Sequence, residues 1–317
     1  MTRKLLLDVD PGLDDSVALL MAFGSDVVDV VGVTTVMGNT ELEHTTRNAR
    51  SLVAFAGRSD IPVVQGAGRP FADTLVDAEY VHGPSGIPDV ARQHLPDRAA
   101  ALHDSTAVEF IIDQARTHRD DLVIAALGPQ TNLALALAVE PRVAEWVGDI
   151  YQMGGALTAT GNITPAASFN FYADAAAAAR VVQDAAPRMV GLDVTERAYV
   201  PREDFDRFDE TTDTGAFVAA ALEYKSKDPD SGYDIDGAFT SDAVVVADIL
   251  ASVVRYEEAY VEVDTTGGPS HGATVYDEHS VLDQPPNCLV ATDVDVDRCR
   301  QVVYDSLDGV GHADPRR

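Results

Sequence analysis

The fold is decided by the opening stretch, Lys4-Leu5-Leu6-Leu7-Asp8-Val9-Asp10-Pro11-Gly12-Leu13-Asp14-Asp15-Ser16-Val17-Ala18-Leu19-Leu20. A short Leu run bounded by Pro-Gly reads as a buried parallel strand. From Ser16 onward, Val17, Leu20 and Met21 fall on one helical face, so a helix follows. Asp8, Asp10, Asp14 and Asp15 therefore sit where a strand ends and a helix begins. In open α/β sheets that edge is where ligands bind. Asp14 and Asp15 alone are explained as first-turn acids that complement the helix dipole. Asp8 and Asp10 are not, because they lie in or just after an apolar strand, where unpaired charge is costly. A bound cation removes the repulsion among four carboxylates. Oxygen-only donors point to a hard ion, calcium or magnesium.

Outward from this stretch the chain alternates strands and helices. Residues 27–36 are β-branched and nearly unbroken, which reads as a second buried strand. It ends at Met37-Gly38-Asn39-Thr40, so Asn39 falls on the same edge as the acids. A helix over 42–56 and a short strand over 61–65 follow. Residues 66–104 are weakly patterned and hold His82; a loop of that length suggests a lid. Helical spacing returns over 105–118, and residues 122–127 form a strand closed by Gly128-Pro129. A helix starts at Thr131, and residues 147–153 form a strand ending at Gly154-Gly155.

This order implies a parallel sheet with right-handed crossovers. Residues 157–171 are turn-like and carry Asn162, Ser168 and Asn170. Next come an alanine-rich helix over 173–184, a strand over 188–192 and a helix over 215–224. A second mobile loop is expected over 225–238, then a buried helix from Ser241 with Asp242 in its first turn. An antiparallel pair over 260–263 and 273–276 flanks Gly267-Gly268. A strand within 287–296, a helix over 296–307 and a frayed tail from 309 complete the chain. The expected fold is α/β: an open, mostly parallel sheet flanked by helices, with a small antiparallel pair near the C-terminus. One domain over residues 1–317 is expected.

The 317 residues carry 52 acids against 23 bases, a net charge of −29. Such a charge disfavours partners that are themselves anionic, nucleic acid and acidic lipid. Lysine appears only at 4, 225 and 227. Excess acid with little lysine points to solubility in high salt, where self-repulsion is screened. The two cysteines, Cys288 and Cys299, are too few for a disulfide framework and suggest reduced thiols in the cytoplasm. Neither a signal peptide nor a membrane-spanning run is expected.

These motifs together resemble the inosine–uridine-preferring nucleoside hydrolases along nearly the whole chain. The matching pieces are residues 8–15 (Asp-Val-Asp-Pro-Gly-Leu-Asp-Asp), 33–39 (Val-Thr-Thr-Val-Met-Gly-Asn) and 81–83 (Val-His-Gly). Residues 127–134 (Leu-Gly-Pro-Gln-Thr-Asn-Leu-Ala) and 153–155 (Met-Gly-Gly) follow in family order. Gly161-Asn162, Phe169-Asn170 and Ser241-Asp242 complete the set. The resemblance implies hydrolysis of the N-glycosidic bond of a ribonucleoside to ribose and free base, with a tightly held calcium ion. By position, Asp10, Asp15, the carbonyl of Leu127 and Asp242 would hold the ion, and Asp10 would be the general base. Asp14, Asn39, Asn162 and Asn170 would hold the ribose, with Met153 lining its pocket. Ser168 stands at the sugar's far end, and His82 would lie near the base. A homodimer or homotetramer is expected.

Two positions depart from the family pattern. Ser241 stands where many members carry the His that protonates the leaving base, and Ser168 where a Glu grips the ribose 5′-hydroxyl. A proton from His82 or Tyr233 is one way to replace the first. Two other readings remain at this point. Asp8-Val9-Asp10 after an apolar strand also looks like a haloacid-dehalogenase-type phosphatase, with Asp8 as nucleophile. The third reading is a non-catalytic member that binds a ribosyl group and has lost the acid.

Overall fold

The computed structural model describes residues 2–96, 99–208, 211–227, 235–308 and 310. The opening strand is β1 (Arg3–Val9), and α1 (Leu13–Gly24) follows it after three residues. Then come β2 (Val28–Thr35), α2 (Leu42–Phe55) and β3 (Val63–Gln65). The weakly patterned stretch contains two single-turn helices, α3 (Glu79–His82) and α4 (Asp89–Arg92). The alternation resumes with α5 (Ala107–His118), β4 (Leu122–Ala126), α6 (Thr131–Val139) and α7 (Val143–Trp146). It continues through β5 (Asp149–Met153), α8 (Phe169–Ala173), α9 (Ala175–Ala185), β6 (Arg188–Val190) and α10 (Leu192–Thr195).

Further on, β7 (Val200–Pro201) pairs with β8 (Gly237–Ala238), on either side of α11 (Asp213–Lys225). The last third holds α12 (Ser241–Ala251), β9 (Val254–Ala259), β10 (Val261–Val263), β11 (Thr274–Tyr276), β12 (Cys288–Val294) and α13 (Val296–Asp308).

Eight strands form one sheet in the order β3-β2-β1-β4-β5-β6-β12-β9. All neighbours run parallel except β12 and β9. The sheet is covered on both sides, and side-chain alternation shows how. Leu5, Leu7 and Val9 pack with α1, α12 and α13, while Leu6, Ile124 and Ile150 pack with α5, α6 and α9. Burial on both faces is why these strands read as continuous apolar runs. The expected C-terminal antiparallel pair is β10 with β11, and it packs on α9 and Phe171.

The chain lays β2 and β3 to one side of β1, then places β4, β5 and β6 on the other. Connections leaving β1 and β4 therefore diverge in opposite directions and open a crevice at their carboxyl ends. Asp10 follows β1 at this point, and Leu127 follows β4.

Three expectations need correction. The antiparallel edge strand β9 was not foreseen, because Val-Arg-Tyr-Glu-Glu-Ala is half charged and the adjacent Glu257 and Glu258 break the alternation that marks a strand. His82 was expected within a long loop; it ends the single-turn helix α3 and is 5% exposed. Lys225 belongs to α11, not to a loop, and Gly237–Ala238 is a strand. Tyr233 and the tail 311–317 lie outside the described residues.

Candidate active site

The crevice is built first by the turn between β1 and α1. Asp15 caps this helix from within: its Oδ1 accepts the Asp10 N–H and its Oδ2 accepts the Gly12 N–H, each at 3.1 Å. Asn39, at the end of β2, joins the same group. Its side-chain amide donates to Oδ2 of Asp15 at 2.9 Å and to the Asp10 carbonyl at 3.0 Å. Its backbone N–H donates to Oδ2 of Asp10 at 2.7 Å.

Asp10 is held between two backbones with no room to spare. A Cβ on Gly38 would lie 2.0 Å from Oδ2 of Asp10, and one on Gly128 would lie 2.6 Å from its Oδ1. Both glycines are required by this close approach, not by turn geometry.

Asp242 arrives from the first turn of α12, 4% exposed. One oxygen each of Asp14, Asp15 and Asp242 lie within 4.8 Å of one another, close enough to share a cation. Burial, followed by repulsion from Asp15, pushes the carboxyl of Asp10 well above the usual range. Asp242 is raised likewise, by burial and then by Asp15, Asp14 and Asp10. Asp15 is pushed up to about 6 by burial and then by Asp14. Asp14 is the exception. Burial is the largest single influence and would raise it, but the Lys225 ammonium, 3.0 Å from its Oδ2, together with His82 and hydrogen bonds, holds it below the usual value.

His82 faces the same acids. Its Nδ1 accepts the Leu13 N–H at 3.1 Å, so the ring proton is on Nε2, 3.8 Å from Oδ1 of Asp14. Burial pushes His82 down to about 4, so the ring is neutral near pH 7. Across the crevice, Asn170 in α8 donates to the carbonyls of Leu127 and Met153. Asn162 accepts the Phe169 N–H at 2.8 Å, and Ser168 accepts the Gly155 N–H at 2.7 Å.

Every residue singled out for the sugar and the ion except Asp15 lines one cavity: Asp10, Asp14, Asn39, Leu127, Met153, Asn162, Ser168, Asn170 and Asp242, with His82 beside them. Asp15 lies directly beneath them, fully buried. Asp8 does not line it. Its Oδ1 accepts from Thr34 at 2.6 Å and Asn132 at 2.8 Å, inside the sheet. Sequence reasoning missed the cavity's mouth: Tyr80, Glu196, Lys225, Ile235 and Phe239. Only Tyr80 had a signal, its place just before the Val81-His82-Gly83 motif.

A family model described as inosine-uridine preferring nucleoside hydrolase matches residues 5–301. The chain belongs to that family. It is 37% identical over 302 residues to a pyrimidine-specific ribonucleoside hydrolase, RihA, of Escherichia coli O9:H4 (strain HS), covering 93% of this chain and 95% of that protein. Among solved structures it superposes on a purine-preferring ribonucleoside hydrolase from Gardnerella vaginalis with a TM-score of 0.90 and 31% identity, covering 97% of this chain and 99% of that one. A plant nucleoside hydrolase, PpNRh1, gives a TM-score of 0.87 and 30% identity, with the same coverage. This nucleoside hydrolase is thus an enzyme acting on N-glycosidic bonds, and the phosphatase reading built on Asp8 falls with the family and with Asp8's place inside the sheet. No described helix is long and apolar enough to cross a membrane.

Proposed function

We propose that the chain hydrolyses ribonucleosides to ribose and free base with a bound divalent cation, calcium, held by Asp10, Asp15, Asp242 and the Leu127 carbonyl. The observation that carries this is the gathering of Asp14, Asp15 and Asp242 oxygens within 4.8 Å of one another at the β1–β4 crevice, with Asp10, whose N–H Asp15 accepts, beside them. Burial raises the proton affinity of Asp10, Asp15 and Asp242, and the charge of Asp15 raises that of Asp10 and Asp242 further, so a cation favours their ionised forms together. Oxygen-only donors fit a hard ion. When bound, such an ion supplies the charge that keeps these acids ionised and lowers the pKa of a nearby water.

The chain's own residues do the rest. Asp14, Asn39, Asn162, Ser168 and Asn170 surround the ribose with hydrogen-bonding groups, and Met153 packs against it. Holding the sugar there fixes its anomeric carbon beside Asp10. Asp10 takes the proton of the attacking water as oxygen bonds to that carbon. The carbon–nitrogen bond breaks, and its electron pair leaves with the base. The sugar passes through an oxocarbenium-like state, which the surrounding acids stabilise. His82, neutral, accepts the Leu13 N–H at the start of α1 and places Nε2–H 3.8 Å from Oδ1 of Asp14, near the base.

A single domain over 1–317, a homodimer or homotetramer, a cytoplasmic place and a high-salt setting belong to the same reading. The −29 charge supports the last, and two buried free thiols support a reducing compartment. The named relatives divide between pyrimidine-specific and purine-preferring enzymes. The test is therefore a reducing-sugar assay on inosine, uridine and cytidine in molar KCl, with and without a chelator. Ribose release that stops on chelation and returns with calcium is expected. No release from any nucleoside leaves the non-catalytic ribosyl-binding reading in its place.

A further inference from the structure

The mouth of the cavity holds a cation that the roles assigned so far do not use. Lys225 ends α11 with its side chain 12% exposed, and its Nζ lies 3.0 Å from Oδ2 of Asp14. It is one of only three lysines in the chain. Among the described residues that line the cavity it is the only lysine or arginine; its charged neighbours there are Asp10, Asp14, Asp242 and Glu196. A lysine ammonium on a flexible stem keeps two further N–H groups to offer when one is paired.

The leaving base needs such a group. As the glycosidic bond breaks, negative charge builds on the base nitrogen and its conjugated acceptors, and a group placed to meet it lowers the barrier. The other polar groups at this end are already engaged or weak. His82 commits Nδ1 to the Leu13 N–H, and its Nε2, 3.8 Å from Oδ1 of Asp14, offers only the N–H of a neutral ring. Ser241 offers one neutral hydroxyl.

Resting on the nucleoside-hydrolysing reading above, we infer that Lys225 is a further catalytic residue, whose ammonium hydrogen-bonds the departing base while Asp14 anchors it at the cavity. The electron pair of the broken bond stays with the base. The ammonium keeps its protons and shares one through the hydrogen bond. The base takes its proton from solvent after release. Asp14 thereby serves both ends of the substrate, the ribose through one oxygen and the base through the lysine it holds.

The experiment compares wild-type protein, K225M and K225R on uridine and inosine and on p-nitrophenyl β-ribofuranoside, whose nitrophenolate departs without assistance. The expected result is that K225M loses kcat by about 10²-fold on the natural nucleosides, the scale set by removing one charge-stabilising donor. On the nitrophenyl riboside K225M stays near wild type, and K225R recovers part of the loss on nucleosides. Equal losses on both kinds of substrate show that Lys225 only positions Asp14, and overturn the inference. So does full activity of K225M on nucleosides. Wild-type protein inactive on every substrate fails the underlying functional reading instead, an outcome separate from either. Circular dichroism of K225M, expected to match wild type, guards against a loss through misfolding.

Discussion

The backbone N–H of Asn39 donates to Oδ2 of Asp10 across 2.7 Å and so ties the end of β2 to the end of β1. One carboxylate oxygen of Asp10 is fixed by this bond, and the other faces Gly128. The proposed base is thus aimed in part by backbone, with the Asp15 side chain also against it. Asp10→Asn keeps an oxygen that can accept the Asn39 N–H, so the fold should survive. Its kcat is expected to fall by about 10²–10⁴-fold, the usual worth of a general base. Steady-state ribose release with a matched melting curve checks this; a variant with wild-type kcat removes Asp10 from the chemistry.

The acid cluster makes a prediction about pH and metal together. Asp8 and Asp15 are both pushed up from 3.8 to about 6, chiefly by burial. The folded protein therefore binds these protons more tightly than the unfolded chain. Stability from this source is complete below about pH 3.8 and is lost as pH rises through about 6. A bound cation favours the ionised form of Asp15 and reverses that loss. The rise in Tm on adding calcium to chelator-treated protein is expected to be larger at pH 7 than at pH 5. A calcium shift that is absent, or equal at the two pH values, contradicts the ion assignment.

Asp8 is a structural acid by its contacts. Asp8→Ala deprives the Thr34 hydroxyl and the Asn132 amide of a buried acceptor. Asn132 keeps its bond to the Thr35 carbonyl, so the cost is about 1–3 kcal/mol. Urea unfolding measures it. Activity per folded molecule is expected to stay close to wild type; its abolition would return Asp8 to the list of catalytic candidates.

His82→Ala leaves the Leu13 N–H at the buried start of α1 without its acceptor. The expected cost is again about 1–3 kcal/mol. Because the ring also faces Asp14, kcat is expected to drop more than ribose binding weakens. Product inhibition by ribose, set against kcat, separates the two, and unchanged turnover takes His82 out of the mechanism.

The parallel core was legible because each of its strands is buried on both faces and leaves an unbroken apolar signature, as in Leu5-Leu6-Leu7 or Leu122–Ala126. The acids stood out for the opposite reason, as charge in apolar surroundings. What stayed hidden has two causes. One is length: α3 and α4 are single turns, too short for a periodic pattern to register. The other is separation along the chain: nothing near Asp14 announces that Lys225 closes on it, and nothing near His82 announces that Leu13 will be its partner. The sugar-side residues were found by motif. Of the mouth, only Tyr80 sits beside a motif; Ile235 and Phe239 became visible only in three dimensions.

The two glycines pressed against Asp10 divide the molecule into a part that can vary and a part that cannot. Even alanine at 38 or 128 would place carbon inside the carboxylate's own radius, so hydrolytic competence admits no experimentation from that side. Any descendant or redesign that acquires a new substrate must therefore do so at the opposite end, among the aromatic and charged side chains of the entrance, while the machinery behind it is inherited intact.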